Sequence, residues 1–285
     1  QTVSGDKCEQ LAASLKLPNT TVATPKAVAA GKFTPPGGGG GADAANLPAF
    51  CRVALTIKPS SDSDIKSEVW LPMSGWNGKF LAVGNGAWGG SIQYAALGDG
   101  LRRGYAVAST DTGHTGTDAS FAVGHPEKLI DFGYRSVHET AVQGKATVAA
   151  LYGTAPRFSY FNGCSGGGRQ SFMEAQRYPQ DFDAIIAGAP VYNQVHLNVS
   201  QTALQVEMLK NPARILPAGK VTLFANAVMA ACDARDGVKD NIISQPQACT
   251  FDPAVLMCKK GDAADCLTAP QVDSARQLHS PVKSR

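Results

Sequence analysis

Apolar positions along the first two thirds of the chain follow two different periods. Phe50 to Ile57 and Ile65 to Leu71 each alternate partly between apolar and polar residues, and the turn Pro59-Ser60-Ser61-Asp62-Ser63-Asp64 separates them. That pattern predicts an antiparallel hairpin. Lys79 to Val83 and Tyr105 to Ser109 lack the alternation and read as apolar runs, the signature of strands covered on both faces. Between Val137 and Leu151 the apolar or small positions 137, 141, 144, 148 and 151 keep helical spacing. Arg157 to Phe161 has the β propensity of a short strand, Gln170 to Arg177 consists largely of helix-tolerant residues, and Ala184 to Gly188 reads as a further buried strand. Strands and helices alternating at this spacing predict an α/β fold with a doubly wound, mostly parallel sheet.

The pattern changes at both ends. Residues 1 to 48 open with a short amphipathic piece, Cys8 to Leu17, and become rich in Ala, Thr and Pro before Pro35-Pro36 and the five glycines Gly37 to Gly41. A glycine run cannot hold regular structure, so a mobile surface loop is expected near 35–43. No Gly-Lys-Ser/Thr follows it, which argues against a phosphate cradle. From Asn193 onward the buried-strand pattern stops, and helix-like and loop-like segments carrying four cysteines take over. The reading is a core domain over 1–192 and the start of an inserted lid over 193–285.

Composition narrows the function classes. The 285 residues are 44% hydrophobic, enough for a large core, and the net charge of +3 is spread without a basic run or an aromatic-interleaved basic stripe. Nucleic acid is therefore not an expected partner. No apolar stretch approaches the roughly 18 residues of a membrane span, so no membrane partner is expected, and any signal peptide is read as absent or already removed.

The candidate chemistry centres on Gly163-Cys164-Ser165-Gly166-Gly167, which fits G-x-S-x-G. With a strand before it and a helix after it, this is a nucleophile elbow, and Ser165 is the candidate nucleophile. An elbow supplies one oxyanion-stabilising amide from the residue after the nucleophile, here Gly166. A second is expected from an earlier loop. Val83-Gly84-Asn85-Gly86-Ala87-Trp88-Gly89-Gly90 follows a buried strand and has the small residues that allow backbone amides near a substrate, which makes Gly86 the candidate.

Of five histidines, only His196 and His279 follow Ser165, as the Ser, acid, His order of α/β-hydrolases requires. His196 comes soon after the strand that follows the elbow helix, and His279 lies in a polar stretch six residues from the last one. His114, His125 and His138 precede the serine and suit structural roles.

Seven cysteines, at 8, 51, 164, 232, 249, 258 and 266, include no C-x-x-C pair, which points to disulfides and an oxidising compartment, secreted or periplasmic. The separations Cys232 to Cys249 and Cys258 to Cys266 suit local loops, Cys8 and Cys51 can staple the N-terminal segment, and Cys164 is left as a free thiol or half of another bridge. Asp233, Asp236 and Asp240 recur at spacings of three and four around a Gly237 turn, with backbone carbonyls between them. Hard oxygen donors so spaced suit calcium, and a solvated acidic turn fits them equally.

Together, Gly163-Cys164-Ser165-Gly166-Gly167-Gly168-Arg169, Trp76-Asn77-Gly78-Lys79-Phe80, Ser109-Thr110-Asp111-Thr112-Gly113-His114 and Asp233-x-x-Asp236-Gly237-Val238-x-Asp240-x-Ile242 resemble the tannase and feruloyl esterase family, which also contains mono(hydroxyethyl) terephthalate hydrolase. The resemblance runs from about Cys8 to the last residue. It implies an α/β-hydrolase core with a calcium-binding, disulfide-stapled lid. It also implies calcium held by the side chains of Asp233, Asp236 and Asp240 and the carbonyls of Val238 and Ile242, and a serine carboxylesterase acting on esters of aromatic acids. In that family the cysteine before the nucleophile is bridged to one directly after the catalytic histidine. Cys164 and Ser165 match the first half, whereas no His-Cys dipeptide occurs in this sequence. The expectation is therefore that the catalytic Asp, the His-Cys pair and the last core strands lie in a missing C-terminal portion or a second chain, which also supplies the partner of Cys164. Tannase or terephthalate monoester hydrolase activity is the alternative within enzymes, and a catalytically inactive binding module is the alternative of another class.

Overall fold

The computed structural model describes residues 2–36 and 45–280, so the glycine-rich loop expected near 35–43 lies almost wholly outside the described residues. The chain divides into two compact units, Gln1–Tyr192 and Asn193–Arg285.

The first unit is built on one sheet of eight strands among the described residues: β1 (Thr20–Val22), β2 (Lys26–Val28), β3 (Phe50–Ile57), β4 (Ile65–Pro72), β5 (Lys79–Val83), β6 (Ala106–Thr110), β7 (Phe158–Cys164) and β8 (Ala184–Gly188). Their order is β1-β3-β4-β6-β5-β7-β8, with β2 also paired to β3. The β3–β4 hairpin is antiparallel, with Phe50 opposite Pro72 and Ile57 opposite Ile65. β4 then joins β6 antiparallel, whereas β6, β5, β7 and β8 are mutually parallel. The half of the sheet that carries the elbow is thus the parallel one.

Period-two alternation sends neighbouring residues of each central strand to opposite faces. Phe80 and Ala82 face one cluster with Ala106, Ala108 and Phe161, covered by Val137, Ala141, Val148 and Leu151. Leu81, Val83 and Val107 face the other with Phe50 and Trp70, covered by Leu97 and Leu101. The first cover is the helix Ser136–Tyr152 and the second is Tyr94–Arg102, so the sheet is wound on both sides. In chain order we label the helices of this unit α1 (Gly5–Glu9), α2 (Leu11–Ser14), α3 (Tyr94–Arg102), α4 (Pro126–Ile130), α5 (Ser136–Tyr152) and α6 (Gly166–Arg177). A five-residue π-helical turn, Asp131–Arg135, joins α4 to α5.

A strand stands at Ala184–Gly188 as the apolar run predicts; β8 is last in the order among the described residues, and its Ile186 is 64% exposed.

The second unit contains α7 (Gln194–Lys210), α8 (Ala218–Cys232) and α9 (Ala269–Leu278), joined by 3-10 turns and loops. Two of its loops are closed by the Cys232–Cys249 and Cys258–Cys266 disulfides, and Cys8–Cys51 ties α1 to β3 in the first unit. Cys164 is a free, exposed thiol.

Candidate active site

β5 and β7 are parallel neighbours in register from Lys79–Phe158 to Val83–Asn162, so the segments that leave them emerge side by side at the same sheet edge. That edge is where open α/β sheets place their ligands. One segment is the glycine loop 84–90 and the other is the elbow.

Ser165 has φ 59° and ψ −113°, a strained conformation for a residue with a side chain. Three contacts over-determine it. The Ser165 amide donates to the Gly188 carbonyl (2.9 Å), and the Ser165 carbonyl accepts from the Arg169 amide (3.1 Å) and the Val191 amide (3.4 Å). The elbow also closes on bare backbone: a Cβ at Gly163 would stand 2.3 Å from the Gly167 carbonyl oxygen. Ser165 itself is exposed, at the N-cap of α6.

The glycine loop lies against the first turn of that helix. A Cβ at Gly166 would meet the Ala87 carbonyl oxygen at 2.7 Å, one at Gly167 the Asn85 carbonyl oxygen at 3.1 Å, and one at Gly84 the Gly167 Cα at 2.7 Å. Gly86, by contrast, has open space where its Cβ would stand. The loop turns back through Ala87 (φ 47°) and Gly89 (φ 72°), and Trp88 packs on Phe132 of the π-helical turn at 5.3 Å between ring centroids. Gly166 opens α6, and the helix itself cannot use the amides of its first turn, which also carry the positive end of its dipole.

Arg169, four residues beyond the serine, is buried and donates to the carbonyls of Gly133 (2.8 Å) and Phe132 (3.0 Å) while lying over the Phe132 ring at 4.4 Å. Loss of water around it lowers its pKa to about 10. Its place in the motif is legible in the sequence, but the carbonyls it holds are not.

None of the three histidines of the first unit forms a hydrogen bond to Ser165 among the described residues. His114 is buried, near Thr112 Oγ1 (3.2 Å) through Nδ1 and stacked on Phe121, and burial lowers its pKa. His125 pairs with Asp62 at 2.9 Å. His138 pairs with Asp181 at 2.6 Å and stacks on Tyr178, the C-cap of α6. Because Ser165 caps the other end of this 12-residue helix, about 18 Å away along its axis, the His138–Asp181 pair cannot serve it. His196 and His279 belong to the second unit.

In the acidic loop of the second unit the aspartates turn onto local amides. Asp233 accepts from Asp240 N (3.3 Å), Asp236 from Val238 N and Ser244 N (both 3.0 Å), and Asp240 from Ile242 N (3.0 Å). These amides hold the Asp236 carboxyl below its ordinary range. The donors are of the kind calcium takes, but no group of three or more acidic, histidine or cysteine side chains stands close enough to hold a metal ion among the described residues.

A two-sided α/β sheet with a serine held at a strained strand-to-helix elbow on its parallel edge defines an α/β-hydrolase-like protein. The family model for tannase and feruloyl esterase matches residues 51–285, and the chain belongs to that family. It is 46% identical over 281 residues, 98% of this chain and 48% of the relative, to an uncharacterized esterase of Xanthomonas campestris pv. campestris. Against a probable feruloyl esterase B-1 of Aspergillus terreus it is 39% identical over 241 residues, 81% of this chain and 45% of the relative. The crystal structure of feruloyl esterase B from Aspergillus oryzae superposes with a TM-score of 0.87 at 31% identity, covering 98% of this chain and 56% of that one. The chain spans about half the length of the curated relatives it matches.

Proposed function

We propose that this chain carries the nucleophile and oxyanion hole of a serine carboxylesterase that cleaves esters of aromatic, hydroxycinnamic-type acids. The observation that carries the proposal is the strained Ser165 elbow with the glycine loop seated on its helix. Ser165 Oγ attacks the ester carbonyl as its proton passes to a base, and the amides of Gly166 and Gly86 hold the oxyanion that forms. The base returns the proton to the alcohol as the C–O bond breaks, and water then releases the acid from the acyl-enzyme. In this proposal the acid and base come from a further portion of the protein or from a second chain, and Cys164 forms a disulfide there that holds the histidine against Ser165; the free, exposed Cys164 thiol beside the nucleophile supports this.

The similarity to feruloyl esterases supports an aromatic acyl group. The second unit is proposed as the start of a lid containing a structural calcium, held by the Asp233, Asp236 and Asp240 side chains and the Val238 and Ile242 carbonyls. Three disulfides support an oxidising, extracytoplasmic setting.

The test is Ser165→Ala in the full-length protein. Turnover of an aryl ester is expected to vanish while binding of the aromatic acid is kept, and a fluorophosphonate should label the natural protein at residue 165. Comparable hydrolysis by the variant would sink the proposal, and absence of labelling in the natural protein would favour an inactive binding module.

A further inference from the structure

We infer that Asn85 and Gln170 form a two-way amide clamp that sets the position of the oxyanion loop, which makes both of them positioning residues for the esterase reaction proposed above, on which the inference rests. The two residues lie 85 positions apart. The backbone amide of Asn85 donates to Gln170 Oε1 (3.0 Å), and Gln170 Nε2 donates to Asn85 Oδ1 (3.1 Å). Gln170 sits on α6, five residues after Ser165, and Asn85 immediately precedes Gly86. The clamp therefore ties the nucleophile's helix directly to the residue before the second oxyanion amide.

Asn85 is also the hub of the loop. Its Nδ2 reaches the carbonyls of Gly89 (2.9 Å), Ser91 (3.0 Å) and Thr110 (2.8 Å), which close the loop on itself and anchor it to the end of β6. Carbonyl oxygens on this side call for a donor, and the two hydrogens of the amide nitrogen serve the three with one shared, so Oδ1 faces Gln170 and requires a donor there. Asn85 and Gln170 are 3% and 2% exposed, so neither amide has water to fall back on.

The glycines show why the contact is needed. Gly84, Gly166 and Gly167 let the loop and helix meet backbone to backbone without any side chain to key them together. Backbone contact at these glycines supplies no directional bond to set the register, and a displacement of about 1 Å in a catalytic group can cost on the order of 100-fold in rate. A pair of antiparallel hydrogen bonds across that surface fixes the register.

The experiment is Gln170→Met, a side chain of equal length without hydrogen bonds, together with Gln170→Glu, both in the full-length protein. Gln170→Met should lower kcat on an aryl ester by about 10- to 100-fold and leave KM within about twofold, because the oxyanion forms only as the reaction proceeds. Ser165 should still be labelled to completion by a fluorophosphonate, more slowly. Gln170→Glu keeps the acceptor for the Asn85 amide and loses the donor to Oδ1 when ionised, so its kcat relative to the natural protein should rise as falling pH protonates the carboxyl. A kcat for Gln170→Met within twofold of the natural protein, or a loss confined to KM, would overturn the inference. If that variant does not fold, a Gln170→Glu to natural ratio that stays flat with pH overturns it. Failure of the natural protein to label at Ser165 would instead count against the esterase reading.

Discussion

Ser165 and the glycines around it do opposite things with the same scarcity of space. Gly163 is needed because any side chain there would run into the Gly167 carbonyl, whereas Gly86 faces open space and is free of that constraint. Gly163→Ala should therefore lower the melting temperature strongly, by the cost of overpacking at about 1–3 kcal/mol or more, since backbone cannot move aside as a side chain can. Gly86→Ala should leave it unchanged. Thermal unfolding of the two variants separates these outcomes, and equal melting temperatures would contradict the packing account. At this scale Ser165, Gly163 and Gly166 were readable from a five-residue motif. Asn85 and Gln170 were not, because a polar residue in a glycine loop and a glutamine on a helix carry no mark that they bond to one another.

The elements themselves were largely legible. The β3–β4 hairpin, β5, α5 and β7 fall where the periodicity places them within a few residues, since each buries an apolar face that dictates its period. α6 is the instructive exception. Propensity places its start near Gln170, yet it begins at Gly166 and runs through three glycines. Glycine weakens a helix by about 1 kcal/mol relative to alanine, but here a Cβ at residues 166, 167 or 168 would strike Ala87, Asn85 or Gly188, so tertiary contact overrides propensity. The acidic loop of the second unit poses an elemental question too. If a calcium ion draws its aspartates together, chelation with EDTA should lower the melting temperature and added calcium should restore it, with the shift abolished in Asp236→Asn. A melting temperature indifferent to both would leave the loop as a turn closed by its own amides.

For the molecule as a whole, the clearest titration lies at the far end of α6. Glu174 is fully buried, with Asp181 beside its carboxyl group. Burial, and then the nearby charge of Asp181, raise its pKa from the ordinary 4.5 to about 8, and Lys145 offsets this only in part. Asp181 is itself paired with His138 and Lys145. The native state thus holds a proton that the unfolded chain releases, so the stabilising effect is complete below the ordinary glutamate value and is lost as pH rises towards 8. The slope for one such group is about 1.4 kcal/mol per pH unit. Glu174→Gln should remove this loss, so its melting temperature should fall less than that of the natural protein between about pH 5 and pH 8. Parallel curves would mean that Glu174 ionises in place.

What the sequence determined by itself was local or periodic: the strands and helices, the elbow motif, the three pairs of cysteines at workable separations, and the family. These depend on residues close together in the chain or on a repeat that one face of an element enforces. The tertiary structure decided what distant segments do to one another. It seated the 84–90 loop on the glycines of α6, joined Asn85 to Gln170, and sent His138 to the wrong end of the nucleophile's helix. Each of these follows from strand order and backbone clearance, which are set only when the sheet closes, and no single stretch of sequence encodes them.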